Sequence, residues 1–482
     1  MNRIKLTGIM LLLSAALLNV NCSSDNDNPS PAPPVGETLD LGDGSNEFEI
    51  KTNTTLKYPN IYNLKGFVYV TDGVTLTVEP GVIIKGDKQS KGTLIVERGG
   101  KIMAQGTKQR PVVFTSAQTP GNRKPGDWGG IIILGKAPNN MGEQTIEGGV
   151  RSKHGGNMPD DNSGILSYVR VEFAGIEYST DNEINGITFG SVGSGTQTDH
   201  IQISYSGDDS FEWFGGTVNA KYLVSLRAWD DDFDSDNGFG GKVQFALAVR
   251  DLKVADKSAS NGFESDNNAT ASLSEPFTSA VFANVSIFGP VASPSSYSNS
   301  SVTDGSATDA RFQAGLHLRR NTQMSIFNSL VAAFPIGLII ENDKGSTTQT
   351  WADEGKLNVT NCIIAGSVQN FQDKQYWSGG TQFDPSATAT FAENYFNRTG
   401  GGNRALSAIA DLKLSGNPLN LTNPVVFPAS DSPLTSGYDW TDPKVSSGFD
   451  RVNYIGAFGS SETASNNWTS EWCNFDPQNT AY

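Results

Sequence analysis

The chain has 482 residues, with 52 glycines, 22 prolines, 10% aromatic and 18% charged residues. That is enough apolar material for a large core, cut into short pieces by turn formers. The formal net charge of −16 makes nucleic acid and anionic membrane surfaces poor partners.

Residues 1–21 carry Arg3 and Lys5, then an apolar run from Ile9 to Leu18 broken only by Ser14. The run is too short for a permanent span and has the shape of a signal peptide. Cys22 follows within four residues, so the leader resembles a lipoprotein signal in which Cys22 becomes the lipidated first residue; Asn19-Val20-Asn21 departs from the usual lipobox. Residues 22–40 are rich in proline and small polar side chains and read as a disordered tether. The tether opens with Ser23-Ser24-Asp25-Asn26-Asp27, similar to the acidic tag that Bacteroidota place behind the lipidated cysteine. That resemblance implies a lipid-anchored protein exposed on the outer membrane. Cys362 and Cys473 either pair in an oxidising compartment or serve as small buried residues.

Beyond the leader the pattern is β: short β-branched runs recur between glycines and asparagines. LTVEPGVIIKG (76–86) and LIVERGGKIMAQG (94–106) align with Leu76 on Leu94, an offset of 18 that suits one solenoid coil. From Tyr168 the segments YVRVEFAG, HIQISYSG, YLVSLRAW, NVSIFG, NSLVAAF and NCIIAG lie one upon another. They place Asn284, Asn328 and Asn361 at one position in their coils, as a hydrogen-bonded ladder along the axis or as ordinary turn residues. A second strand follows in each coil, beginning at Phe211, Phe233, Phe263, Leu316 and Leu338, which stack as one interior column. The serine-, asparagine- and threonine-rich 260–315 stretch reads as a loop beside that strand face.

The segments GDWGGIIILGKAP (126–138), SYSGDDSFEWFGGTVNAKYL (204–223), DDDFDSDNGFGGKVQF (230–245), NGFESDN (261–267) and FDRVNYIGAFG (449–459) resemble a Bacteroidota family of surface lipoproteins. The family has the right-handed parallel β-helix, pectate-lyase-like superfold. The resemblance implies a solenoid over residues 41–390 and an irregular C-terminal cap over 391–482, and it implies no particular chemistry.

With the phenylalanine column inside, the period of two turns two columns outward: Glu212, Asp234, Glu264 and His317, and Phe214, Asp236, Asp266, Arg319 and Glu341. Rungs lie about 4.8 Å apart, and Asp208, Asp209, Asp230, Asp231 and Asp232 crowd the preceding turn. Like charges so spaced repel by about 1 to 4 kcal/mol per pair, so the face is hydrated, partly protonated or neutralised by a cation. An oxygen-only set suits Ca²⁺, with Glu212, Asp232, Asp234, Asp236, Glu264 and Asp266 as ligands. The Asp232-x-Asp234-x-Asp236 spacing resembles a calcium loop, but Asn237 stands where such a loop has glycine.

Two functions from different classes follow. One is a surface protein whose sheet face binds a polysaccharide, with Trp213, Phe214, Trp229 and Phe239 as stacking platforms, or docks to an outer-membrane transporter. The other is a calcium-dependent polysaccharide lyase or glycosidase, with Asp234, Asp236 and Glu264 as acid, base or ligands and His317 and Arg319 beside them. GxxxxGKS/T, HExxH, GxSxG and CxxC motifs do not occur, leaving nucleotide hydrolysis, zinc proteolysis and serine-hydrolase chemistry without support.

Overall fold

A computed structural model describes residues 36–179, 182–297, 311–374, 390–461 and 466–482. The leader, Cys22 and the tether up to residue 35 lie outside them. From Thr38 onward, short β-branched segments stack coil upon coil in two long parallel sheets, of 17 and 11 strands among the described residues. The protein is an all-β right-handed parallel β-helix. Two short antiparallel pairs and two six-residue helices interrupt it, and no described helix is long and apolar enough to cross a membrane.

The interior column forms as the alternation requires. Phe211, Phe233, Phe263, Leu316 and Leu338 are in register on successive strands of the smaller sheet, and all are buried. The Phe211 and Phe233 rings lie 5.7 Å apart and the Phe233 and Phe263 rings 5.0 Å. The early offset is different. Leu76 pairs with Ile102 in the larger sheet, whereas Leu94 pairs with Val68 in the smaller one. The 18-residue alignment therefore matched two different sides of the coil, because alternating strands look alike from either side. The 260–315 stretch is also more than a loop, since it supplies Phe263–Ser265 and Val281–Phe288; residues 298–310 lie outside the described set.

In the larger sheet, strands of eight or nine residues bend sharply at one corner. From the coil of Tyr168 onward the residue there is left-handed in seven successive coils: Tyr168, His200, Tyr222, Phe245 and Asn284, then Asn328 and Asn361, each between two three-residue strands, with φ between 48° and 61°. Each non-glycine residue so placed costs about 1–2 kcal/mol, least for asparagine. Stacking offsets part of this cost. The Tyr168, His200, Tyr222 and Phe245 rings lie 4.2, 4.4 and 5.1 Å apart in turn. The three asparagines share the position as expected, but they bond to the C-terminal chain. Asn284 Nδ2 donates to the Tyr454 carbonyl at 3.1 Å, and Asn361 Nδ2 to that of Gly437 at 2.7 Å. Asn328 exchanges two bonds with the Asp439 backbone, each 2.9 Å.

Those bonds belong to a strap. Helix Phe391–Phe396 packs on the last coil, with the Phe396 ring 5.0 Å from Phe371, and Arg404–Leu406 adds a final rung. The chain then returns along the outer face of the larger sheet. It passes Asn328 and Asn284, meets Gln202 through Asn474, and reaches the early coils, where Arg123 donates to the Thr480 carbonyl at 2.9 Å. Leu226, Phe245, Leu247, Leu330 and Ile363 of the coils and Leu412, Ile455, Phe458, Trp468 and Trp472 of the strap form a second apolar core between them. Cys362 lies in the main core and Cys473 on the strap, both as free thiols.

Candidate functional site

The outer face of the smaller sheet assembles the acidic columns. Glu212, Asp234, Glu264 and His317 are in register on four consecutive strands. Phe214 is in register with Asp236, and Asp266 and Arg319 each follow the last residue of their strands. Asp208 and Asp209 on one turn, and Asp230 and Asp231 on the next, close one edge.

Cations answer only part of this charge. Arg319 contacts Glu264 and donates from Nε to Asp266 at 2.8 Å, and Arg320 reaches Asp266 at 2.5 Å. His317 is fully buried, 3.4 Å from Glu264 on one side and from Glu341 on the other. Burial opposes a charge on the imidazole, yet these two carboxylates raise its pKa above the usual value. Burial likewise opposes ionisation of Glu264, but Arg319 and His317 hold its carboxyl down at about 2.

The remaining carboxylates lie close together without a described ion pair. Burial, reinforced by neighbouring acids, pushes Asp208, Asp209, Glu212, Asp231, Asp234 and Asp236 well above the carboxylate range and Asp230 up to about 7. Three trios have ligand atoms all within 4.8 Å of one another: Asp208, Asp209 and Asp230; Asp209, Glu212 and Asp234; Asp231, Asp234 and Glu264. Oxygens about 2.4 Å from one hard cation are at most about 4.8 Å apart, so these clusters could hold a metal ion. Asp234 is common to two trios, and its Oδ1 is buried with no hydrogen-bond partner.

Several expected site residues stand elsewhere. Asp232 is fully buried and turned inward; it accepts from Ser225 Oγ at 2.5 Å and lies 3.5 Å from Arg250, so it leaves the ligand set. Asp266 is held by two arginines. Trp213 and Phe239 are interior, their rings stacked 5.2 Å apart at 7°, because Trp213 shares the parity of Phe211. Phe214 is half-buried against the apolar cluster of Ile132, Leu134 and Ile146, and Trp229 is half-buried at the turn. The stacking platform expected beside the acids is therefore not assembled from these four.

Asp209 and Asp231 are the main additions to the expected ligands. Their signal was present in the sequence: Asp208-Asp209 and Asp230-Asp231 repeat at the same 22-residue interval as Phe211 and Phe233. Asn185, which donates to Glu212, and Asn261, whose Nδ2 lies 3.2 Å from Glu264 Oε2, carried no comparable signal.

Residues 48–410 match a family model described as a pectate-lyase-like β-helix domain. No curated protein and no solved structure matches the chain.

Proposed function

This chain belongs to the family of pectate-lyase-like β-helix domains, and from that premise we propose that its acidic sheet face binds Ca²⁺ and captures an anionic glycan through it. The carrying observation is that Asp234 is shared by two oxygen trios while its buried Oδ1 has no hydrogen-bond partner. Buried acids in such contact either keep protons or take up a cation, and an all-oxygen donor set with no sulfur or imidazole suits a hard ion. With Trp213 and Phe239 inside, charge rather than ring stacking is what this face offers a glycan. The leader and Cys22 support export to the outer-membrane surface on a lipid anchor, where an outer-membrane transporter is the competing partner for the same face.

Calcium titration tests the core of this reading. Isothermal calorimetry is expected to show saturable Ca²⁺ binding that Asp234→Asn abolishes; unchanged heats in the variant would remove the site. Radiolabelled palmitate incorporation, lost in Cys22→Ala, checks the anchor.

One observation favours a second reading, as a glycoside hydrolase. Asp234 and Glu264 are neighbours with oppositely displaced acidities, the first pushed up by burial and the Glu264 charge and the second held down at about 2 by Arg319 and His317. That is the division a general acid and a nucleophile or base require. Elimination by a lyase draws less support, because Arg319 and His317 are both engaged by carboxylates. New reducing ends from a panel of polysaccharides, absent in Glu264→Gln, would establish hydrolysis; none from any substrate would discard it.

A further inference from the structure

The acidic site repeats with the coil. Glu212, Asp234 and Glu264 stand in register on successive rungs, about 4.8 Å apart, and three residues before each comes a turn residue: Asp209, Asp231 and Asn261. The turn residues are linked in the same way from coil to coil. The Asp231 backbone N–H donates to Asp209 Oδ1 at 2.7 Å, and that of Asn261 donates to Asp231 Oδ1. Each gap between rungs therefore has the same walls one coil on. Asp209, Glu212 and Asp234 line the first gap, and Asp231, Asp234 and Glu264 line the second. The series ends on both sides. One coil earlier the equivalent positions hold Asn185 and Thr188, and the Asn185 amide donates to Glu212. One coil later Glu264 faces His317 across the gap, with the Asn261 amide and Arg319 as its donors.

We propose that this face binds two Ca²⁺ ions, one in each gap, bridged by Asp234. The pair rests on the calcium reading of the face and adds to it a count and a bridging ligand. Asp234 belongs to both trios, and its buried Oδ1 has no hydrogen-bond partner. Charge supports the same number. Of the five carboxylates that line the gaps, only Glu264 meets a described cation, which leaves four negative charges for two divalent ions to offset. Bridged pairs of ions about 3.5–4 Å apart are an established arrangement, close to one rung spacing. The third trio, Asp208, Asp209 and Asp230, lies along the turn, shares Asp209 with the first gap and has no strand carboxylate, so it takes no ion of its own.

The test is a count, made on the full chain by native mass spectrometry and calorimetry with calcium chloride. Two ions per chain are expected. Glu212→Gln and Asp231→Asn should each leave one ion, and Asp234→Asn none. Circular dichroism checks that the variants fold; should one fail to fold, the count in the parent protein decides. No ion in the parent protein would end both this proposal and the calcium reading, whereas one ion, lost in Asp234→Asn, would keep that reading and end the pair. Three ions, or two retained in Glu212→Gln or Asp231→Asn, would also overturn it.

Discussion

The two sheets of this solenoid face outward on opposite terms. The larger sheet presents leucine, valine and phenylalanine, and the chain returns to cover them, so that face is turned into core. The smaller sheet, over the coils that follow Phe211, presents carboxylates that only a few arginines and a histidine answer. The backbone geometry is the same on both. One face stores stability in apolar burial and the other holds unspent electrostatic potential, and only the second has charge for a cation to offset. Substitutions on the first should therefore be severe and indifferent to calcium, and those on the second mild or even stabilising until calcium is added.

The largest expected effect breaks the covered face. Removing residues 407–482 would bare at least ten apolar side chains, each worth about 1.5–3 kcal/mol, more than the roughly 5–15 kcal/mol that holds a typical domain together. Insoluble expression is expected, and a soluble truncated chain with native circular dichroism would show that the strap is dispensable. A smaller cut at the same place is Trp472→Ala. This fully buried side chain should cost about 3–5 kcal/mol in denaturant unfolding, equally with and without calcium.

The acidic face should respond the other way. At a calcium concentration about 100 times the dissociation constant, binding adds about 2.7 kcal/mol to stability, read as a higher melting midpoint. Asp234→Asn should erase that gain. In EDTA at pH 8 it should raise the midpoint above that of the parent protein, since it removes one member of a repelling cluster. A midpoint in EDTA below the parent's would mean that Asp234 has a structural partner.

The same face sets the pH dependence of the metal-free protein. Asp230 and its neighbours have folded pKa values above those of the unfolded chain, Asp230 at about 7. Their contribution is fully present below about pH 4 and is lost as pH rises through the folded values. Glu264 works in reverse, stabilising above its unfolded value and losing that contribution as pH falls toward about 2. In EDTA the midpoint should therefore fall between pH 5 and pH 8, and saturating calcium should flatten the slope. A midpoint in EDTA that rises over that interval would contradict the upward displacement of the cluster's acidities.

The same contrast explains which features were legible in the sequence. The phenylalanine column and the outward acids followed from alternation plus a coil interval, because in a parallel stack the register carries each residue's side to the next rung. Alternation also placed Trp213 inside with Phe211, and reading it as a surface aromatic went against that rule. The strap was hidden for a different reason. Its contacts join residues hundreds of positions apart, such as Gln202 with Asn474 and Arg123 with Thr480, and its irregular backbone has no period to announce which face it covers. The inward turn of Asp232 was equally silent, since it depends on Arg250 arriving from the next coil.

The smallest prediction tests how the strap is held at the left-handed corner of the covered face. Asn328 does two jobs there: it tolerates a positive φ of 48° and pins the strap through both ends of its amide. Alanine would lose two hydrogen bonds worth about 0.5–1.5 kcal/mol each and keep a strained backbone, for a total of about 2 kcal/mol. Glycine would lose the same bonds but relieve the strain, so Asn328→Gly should be the less damaging of the two. The reverse order in chemical denaturation would show that side-chain stacking along the ladder, rather than backbone conformation or the strap, is what selects asparagine at this corner.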